Sequence, residues 1–287
     1  MTPAFAKSFT YQIPWKSSSY QHGDHPGLQA GVGVAFKGSV PLINYPDPRR
    51  IDVAQTIRDI GDQIHVRTFN EKNSTHVFAL CDLSASMQFR GRRQKMALVA
   101  EVAGSIALAA YDAADKFSVL GYDQALRPEW CSPIGSSRQD AFKVVEALRD
   151  FSSGQPGCDG VLAAAEQLGR SRALVFWVSD FHMPLALVEK TLNVLSRHKV
   201  VPIIVWDSAE YKHLPRFGIT SFYDPETGEE RTLFFRNSLR QKFLDLFETR
   251  RLHLQSLFVK YQSPPFFVED TFNSADLTAY FQRYVAL

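Results

Sequence analysis

The chain has 287 residues, of which 45% are hydrophobic and 13% aromatic, and this composition excludes an intrinsically disordered protein. Its 32 basic and 30 acidic residues give a formal net charge of +2, which excludes a protein that acts mainly on a nucleic-acid backbone. Three widely spaced cysteines form neither a disulfide framework nor a zinc-ligand pattern, and they favour a reducing compartment.

The sequence predicts neither a signal peptide nor a membrane span. Its N-terminus lacks the apolar segment of a secretion signal. The longest apolar stretch, Met96 to Tyr111, is interrupted by polar residues and is shorter than the ~20 residues that cross a bilayer. We therefore expect a cytoplasmic protein.

Residues 1–75 are rich in glycine, proline and aromatic residues. Two strand-like segments, Gly31 to Phe36 and Ile64 to Phe69, flank the turn-rich Tyr45 to Pro48 and a short predicted helix, Arg50 to Ile60. The pattern predicts a small β-containing N-terminal lobe without a self-sufficient core.

From residue 76 to residue 287, predicted strands and helices alternate. Val77–Cys81, Ala173–Val178 and Val200–Trp206 are continuously apolar, which is typical of strands buried on both faces. Helical spacing of apolar residues predicts a helix over Arg93–Ala114. The further predicted elements are a strand Phe117–Tyr122, helices Ser137–Phe151, Gly160–Leu168, Leu185–Arg197 and Asn237–Val259, a strand Phe266–Val268 and a helix Ala275–Tyr284. The alternation predicts an α/β fold: a doubly wound, mostly parallel sheet with helices on both faces.

A hairpin insertion is predicted around residues 215–236. Its strands, Ile219–Tyr223 and Arg231–Phe235, flank Asp224-Pro-Glu-Thr-Gly228, a sequence whose Asp, Pro and Gly residues favour a turn. The helix that follows is rich in Lys and Arg. That pattern indicates a solvated helix face or, alternatively, a docking surface for an acidic partner or nucleic acid.

The segment Asp82-Leu83-Ser84-Ala85-Ser86 directly follows a buried strand and presents one carboxylate and two hydroxyls on a short loop. Such oxygen ligands suit Mg²⁺ or Mn²⁺. Ligands of doubly wound sheets bind beyond the carboxyl ends of the strands, where Asp180 also lies, after Ala173–Val178. We therefore predict a metal site formed by Asp82, Ser84, Ser86 and Asp180.

Other polar residues are expected near the same edge. Asp207 follows Val200–Trp206, and Cys158 and Asp159 lie on a loop that precedes a predicted helix, so all three are possible neighbours of the metal site. Asp159 is equally explained as a helix N-cap. Asp123, after Phe117–Tyr122, fits better as a residue that binds loop amides.

The Asp-x-Ser-x-Ser pattern at residues 82–86 resembles the metal-ion-dependent adhesion site of von Willebrand factor A-type domains. The resemblance implies that Asp180 supplies the Asp of the third loop. The Thr of the second loop is replaced by Cys158, whose soft sulfur is a poor ligand for Mg²⁺, which leaves Asp159 and water to fill that position.

The chain more closely resembles a bacterial subgroup, domain-of-unknown-function family 58, over nearly its whole length. The segments that resemble it are Asp47-Pro-Arg-Arg-Ile-Asp52, His65-Val-Arg-Thr-Phe-Asn-Glu71, Leu214-Pro-Arg-Phe-Gly218 and Tyr223-Asp-Pro-Glu-Thr-Gly-Glu229. The chain departs from the subgroup at Val53, where many members have Trp. The group includes the methanol-oxidation protein MxaS.

This resemblance implies a non-enzymatic adaptor that acts with a MoxR-type AAA+ ATPase in the maturation, assembly or metal loading of a client protein. In that mechanism Ser84 and Ser86 bind the ion directly, Asp82 and Asp180 hold its waters, and a carboxylate from the partner completes the coordination. Binding would then require metal.

Two alternatives stay open. The first is a structural or interaction protein whose site is degenerate and metal-free. The second is a haloacid-dehalogenase-like phosphatase, which would use Asp82 as nucleophile but normally needs a second Asp where this chain has Ser84. The sequence contains no Gly-x-Ser-x-Gly elbow and no phosphate-binding P-loop, so we expect no enzymatic activity.

Overall fold

The structure is a computed structural model. It describes residues 3–13, 15, 22–31, 35–61, 63–89, 91–152, 155–212, 217–223 and 230–285. The strands are β1 (His22–Gly31), β2 (Ala35–Pro41), β3 (His65–Asn73), β4 (His76–Asp82), β5 (Lys116–Tyr122), β6 (Leu126–Cys131), β7 (Ala173–Ser179), β8 (Lys199–Trp206), β9 (Gly218–Tyr223), β10 (Glu230–Phe235) and β11 (Phe266–Glu269). The α-helices are α1 (Val53–Arg58), α2 (Lys95–Asp112), α3 (Arg138–Leu148), α4 (Gly160–Glu166), α5 (Leu185–Val194), α6 (Asn237–Lys260) and α7 (Ser274–Tyr284).

The main sheet has six strands in the order β11-β8-β7-β4-β5-β6. Its first five strands are parallel, and the edge strand β6 is antiparallel to β5. At the centre, Cys81 of β4 lies opposite Gly121 of β5 and Val178 of β7. The predicted α/β class with a mostly parallel sheet is therefore confirmed.

Helices cover both faces of this sheet. Alternate residues of β4 belong to two separate cores: Val77 and Ala79 pack with α2, α3 and α7, whereas Phe78 and Leu80 pack with α4, α5 and α6. A strand buried on both faces must be apolar at every position, which explains the unbroken apolar runs in the sequence. In the described part of the chain, no helix combines the length and the apolar character needed to cross a membrane.

Most predicted elements of the main sheet are present within two or three residues of their expected ends, but β6 was missed. Its sequence contains Arg127, Pro128 and Glu129, which obscure a strand pattern. Proline lacks the N–H that a central strand needs, and β6 accommodates it because it lies at the edge.

The N-terminal region forms a three-stranded antiparallel sheet in the order β1-β3-β2. The predicted strand Gly31 to Phe36 includes residues 32–34, which lie outside the described residues. Of its described residues, Gly31 is the last residue of β1, and Ala35 and Phe36 are the first residues of β2. The predicted helix shortens to α1, whose N-cap Asp52 accepts a hydrogen bond from the Gln55 N–H at 3.2 Å.

The first residues of the chain pack away from this small sheet. Phe9 and Tyr11 are buried in the core that α2 and α7 cover, and Phe9 stacks on Phe281 with ring centroids 6.0 Å apart. The predicted boundary at residue 75 assigned these residues to the N-terminal lobe. Division of the chain at that residue stays a prediction.

The predicted hairpin insertion is an antiparallel pair, β9 and β10, in which Tyr223 lies opposite Glu230. The intervening residues 224–229, on which the turn prediction rests, lie outside the described residues. The hairpin leads directly into α6, the longest helix among the described residues, which packs onto the main sheet through Leu254 and Phe258.

Candidate functional site

The candidate site lies beyond the carboxyl ends of β4 and β7. These strands are neighbours at the centre of the sheet, and the chain leaves β4 toward β5 on one side and β7 toward β8 on the other. Such a change of direction opens a crevice between the loops of the two strands. Asp82 is the last residue of β4, and Asp180 follows the last residue of β7, so the fold brings the two predicted carboxylates to one place.

Asp82 is fully buried, and hydrogen bonds hold both of its carboxylate oxygens. The Ser84 N–H donates to Oδ1 at 2.9 Å, and the Ser179 hydroxyl donates to Oδ2 at 2.6 Å. Burial, together with the charge of Asp180, raises the pKa of Asp82 to about 7, although the hydrogen bonds from Ser179 and Ser84 oppose that shift. Near neutral pH this carboxyl group is therefore only partly ionised.

Ser84 and Ser86 place their hydroxyl oxygens side by side, 3.2 Å apart and buried. Two ligands at right angles around an ion at about 2.1 Å lie about 3.0 Å from each other. The spacing of the two hydroxyls therefore suits a divalent cation, and their role as metal ligands stays a prediction.

Asp180 is bound by a residue that the sequence analysis missed. Lys95, the first residue of α2, is fully buried and places its Nζ 2.9 Å from Asp180 Oδ2. The second oxygen of Asp180 accepts a hydrogen bond from the His182 N–H at 3.1 Å. Burial alone would raise the pKa of Asp180, but Lys95 holds it well below its ordinary value.

A second carboxylate also binds Lys95. Glu210, in a short 3-10 helix after β8, places Oε1 2.5 Å from Lys95 Nζ, and the Ser86 carbonyl accepts a weaker bond from the same ammonium at 3.4 Å. Burial would lower the pKa of Lys95, but Asp180 and Glu210 raise it above its ordinary value. The Lys95 ammonium is therefore charged at neutral pH.

Lys95 could have been found in the sequence by its helical position. It lies four and seven residues before Val99 and Val102, on the face of α2 that is buried in the core. A lysine on an apolar helix face needs a buried anionic partner. Arg92 and Arg93, which precede it with one residue between, add further basic residues that obscure this signal.

The side chain of Asp207, a predicted neighbour of the metal site, accepts hydrogen bonds from backbone N–H groups of two loops. Its Oδ1 accepts a hydrogen bond from the Ala209 N–H at 2.8 Å, and its Oδ2 accepts one from the Arg93 N–H at 3.1 Å. A Cβ on Gly91 would lie 2.6 Å from the Asp207 carboxylate. This carboxylate thus fixes the segment that leads into Lys95.

Cys158 and Asp159 differ in their relation to the site. The Cys158 Sγ is buried and lies 3.8 Å from Asp82 Oδ2, so the loop expected to supply a ligand does reach the first carboxylate. Asp159 is exposed and sits at the N-cap position of α4 without a capping hydrogen bond from its side chain. The thiol, rather than Asp159, is the group beside Asp82.

The loop of Cys158 is positioned by a close backbone crossing. A Cβ on Gly160 would lie 2.2 Å from the carbonyl carbon of Ala125, and the Gly160 N–H donates to the Asp123 carbonyl at 3.0 Å. The Asp123 side chain binds the Ala125 N–H and the Arg127 guanidinium, as expected for a residue that organises a loop.

The loop after Asp180 is held in an uncommon conformation. Phe181 is buried with φ of 54°, in the left-handed region. The Arg250 guanidinium of α6 donates hydrogen bonds to the carbonyls of Phe181 and Met183. Helix α6 therefore fixes the backbone of this loop, which a non-glycine residue adopts only with such support.

Two exposed rings, Phe89 and His182, lie on the loops that follow β4 and β7. Phe89 is 37% exposed, and Lys95 Nζ lies 5.7 Å from the centre of its ring. The exposed His182 ring is parallel to Trp206 with centroids 6.2 Å apart. Beside Trp206, a groove of about 290 Å³ is lined by Tyr211, Phe247 and Arg251 among others.

These contacts test the fit of a divalent cation. The Ser84 and Ser86 hydroxyls suit one, but both oxygens of Asp180 are bound, one of them by a buried ammonium. A cation placed among the four predicted ligands would be repelled by Lys95, and Cys158 offers sulfur where Mg²⁺ prefers oxygen. As arranged, the complete donor set does not fit Mg²⁺ or Mn²⁺.

The model of a family described as "Protein of unknown function DUF58" matches residues 46–252, which is more than half of the chain. No curated relative matches the sequence. Among solved structures, the chain is similar to the conserved hypothetical protein BatB from Bacteroides thetaiotaomicron, with 13% identity and a TM-score of 0.45 over 73% of this chain and 96% of that one. It is also similar to an aerotolerance-related membrane protein from Bacteroides fragilis NCTC 9343 with multiple mutations to serines, with 13% identity and a TM-score of 0.43 over 74% of this chain and 98% of that one.

Proposed function

The chain belongs to the DUF58 family, and from this premise we propose that it is a non-enzymatic adaptor that binds a protein partner at the carboxyl ends of β4 and β7. The observation that carries the proposal is the exposed Phe89 ring above the buried Lys95. Exposed aromatic side chains, including Phe, are enriched in protein interfaces relative to the rest of the surface.

The contacts of Asp82 support a binding role over catalysis. A phosphatase of the haloacid-dehalogenase type needs an accessible Asp nucleophile. Asp82 is fully buried, and both of its oxygens accept hydrogen bonds. The Ser84 and Ser86 hydroxyls interact with each other. We therefore retain the non-enzymatic interpretation.

We further propose that the partner is a MoxR-type AAA+ ATPase, and that the pair acts on a client protein in maturation, assembly or metal loading. The support is the resemblance of residues 47–52 and 65–71 to the DUF58 subgroup that includes MxaS. A cytoplasmic location is part of this proposal, because an ATP-driven partner acts where ATP is available.

Two forms of the binding site follow from the sequence. In the first, Asp82, Ser84, Ser86 and Asp180 hold Mg²⁺ or Mn²⁺, which requires Lys95 to leave Asp180. In the second, the site is metal-free and binds the partner through its rim. The contacts of Lys95 with Asp180 and Glu210 favour the second, because it needs no rearrangement of buried charges.

The proposal is tested with the purified chain and the nucleotide-free MoxR-type ATPase of the same organism. Isothermal titration calorimetry should detect a complex whose Kd is similar in EDTA and in Mg²⁺. Phe89→Glu and His182→Ala should each weaken binding by about tenfold or more, because they remove rim aromatics. Lys143→Glu changes the charge of an exposed residue on α3 and should leave Kd unchanged.

A complex that the rim substitutions do not weaken would contradict the proposed binding surface. If the ATPase does not bind at all, that partner is excluded. A complex that EDTA abolishes would favour the metal-mediated form.

A further inference from the structure

Lys95 occupies a position that its own helix does not explain. It is the first residue of α2, where the helix dipole is positive and disfavours a cation. Its side chain is fully buried, although lysine normally keeps its ammonium in water. The position therefore has to be explained by what surrounds the ammonium.

The surroundings of the ammonium are those of a bound cation. Two carboxylates approach Nζ, Asp180 at 2.9 Å and Glu210 at 2.5 Å. The Ser86 carbonyl lies at 3.4 Å, and the Phe89 ring faces the ammonium at 5.7 Å. These groups come from the loops after β4, β7 and β8, so three neighbouring strands direct oxygen atoms toward one positive charge.

The carboxylate that should hold a metal is the one that Lys95 binds. Asp180 supplies the third element of the adhesion-type pattern, and its two oxygens are used by Lys95 and by the His182 N–H. A divalent cation in the same pocket would add two positive charges beside an existing one in a medium of low dielectric constant. The ammonium and the ion thus compete for the same carboxylate.

We infer that the Lys95 ammonium takes the place of the divalent cation at this site. The positive charge that neutralises Asp180 and Glu210 is then supplied by a side chain of the protein, and the site binds no metal ion. The inference deepens the proposed function by naming the cation of the same site. Its test needs no partner, so its failure is distinguishable from failure of the proposed adaptor role.

The test is a titration of Mn²⁺ into the full-length protein, followed by electron paramagnetic resonance, which reports free Mn²⁺ directly. The wild-type protein should bind no Mn²⁺ at this site. Lys95→Met keeps an unbranched apolar stem but removes the charge, which leaves the Asp180 and Glu210 carboxylates for the ion. This variant should gain Mn²⁺ binding that the wild type lacks, with a Kd at least about tenfold below the highest Mn²⁺ concentration at which the wild type shows none.

Two further variants locate the gained site. Lys95→Met combined with Asp180→Asn should lose the Mn²⁺ binding that Lys95→Met alone acquires. Lys143→Met removes an exposed lysine of α3 and should behave as the wild type does. Circular dichroism of each variant checks that the fold is retained.

Two results would overturn the inference. One is Mn²⁺ binding by the wild type that Asp180→Asn abolishes, which would mean that the ion displaces Lys95. The other is a folded Lys95→Met protein that binds Mn²⁺ no better than the wild type, which would mean that the ammonium does not fill a cation site. If Lys95→Met does not fold, the wild type and Asp180→Asn titrations still decide.

Discussion

Lys95 and Asp180 form a fully buried ion pair, with 2.9 Å between Nζ and Oδ2, that joins the start of α2 to the end of β7. The two residues are 85 positions apart in the sequence. A buried ion pair adds little net stability compared with apolar residues, but removal of one partner leaves the other charge desolvated. The pair therefore fixes the geometry of the strand ends.

Lys95→Met should destabilise the protein by about 3–5 kcal/mol, because it leaves the buried Asp180 and the partly buried Glu210 carboxylates without their cation. Urea unfolding at pH 7 measures this change. Adding Asp180→Asn should recover part of the loss, since the unpaired charge is then removed. Lys143→Met, which breaks an exposed pair with Asp140, should change stability little. Equal effects of the two lysine substitutions would contradict the buried pair.

Stability should depend on pH through Asp82. Its folded pKa of about 7 lies above its ordinary value of 3.8, so the folded state binds the proton more tightly than the unfolded state. This stabilisation is fully present below about pH 4 and is lost as the pH rises through 7. Between pH 4 and pH 8 the loss should be of the order of 2–4 kcal/mol.

The measurement compares the wild type with Asp82→Asn, which cannot titrate at this position. As the pH rises over that range, the unfolding free energy of the wild type should fall relative to that of the variant. The ¹³C shift of the Asp82 carboxyl group reports the same titration directly. A midpoint near pH 4 would contradict the prediction, because it would show that burial does not raise the pKa of Asp82.

Gly160→Ala should destabilise the protein by about 2–3 kcal/mol or more, because the added Cβ would lie 2.2 Å from the Ala125 backbone. The loop of Cys158 would have to move away from Asp82. Gly61→Ala is the matched control, since the nearest atom to its Cβ lies 3.4 Å away, and we expect a change within about 0.5 kcal/mol. Thermal unfolding separates these outcomes.

Arg250→Gln should loosen the loop that follows Asp180. The guanidinium holds the Phe181 and Met183 carbonyls, and Phe181 has a left-handed backbone that needs such support. Amide hydrogen exchange at Phe181 and His182 should become faster. Lys242→Gln removes an exposed charge from the same helix and should leave that exchange unchanged. Unaltered protection in Arg250→Gln would mean that α6 does not fix this loop.

The sequence predicted the main sheet well because buried parallel strands have a strong local signature. The runs that became β4, β7 and β8 are apolar at every position since both of their faces are covered. Strand β6 has no such signature: it lies at the edge, contains Pro128 and is half exposed.

The sequence by itself determined the α/β class and the place where polar groups meet, because apolar periodicity and strand-end residues are local properties. It placed Asp82, Ser84, Ser86 and Asp180 at one edge of the sheet. Only the tertiary structure decided which groups neutralise those carboxylates. Lys95 and Glu210 reach Asp180 from distant parts of the chain, and such electrostatic pairing depends on distances that no local pattern encodes.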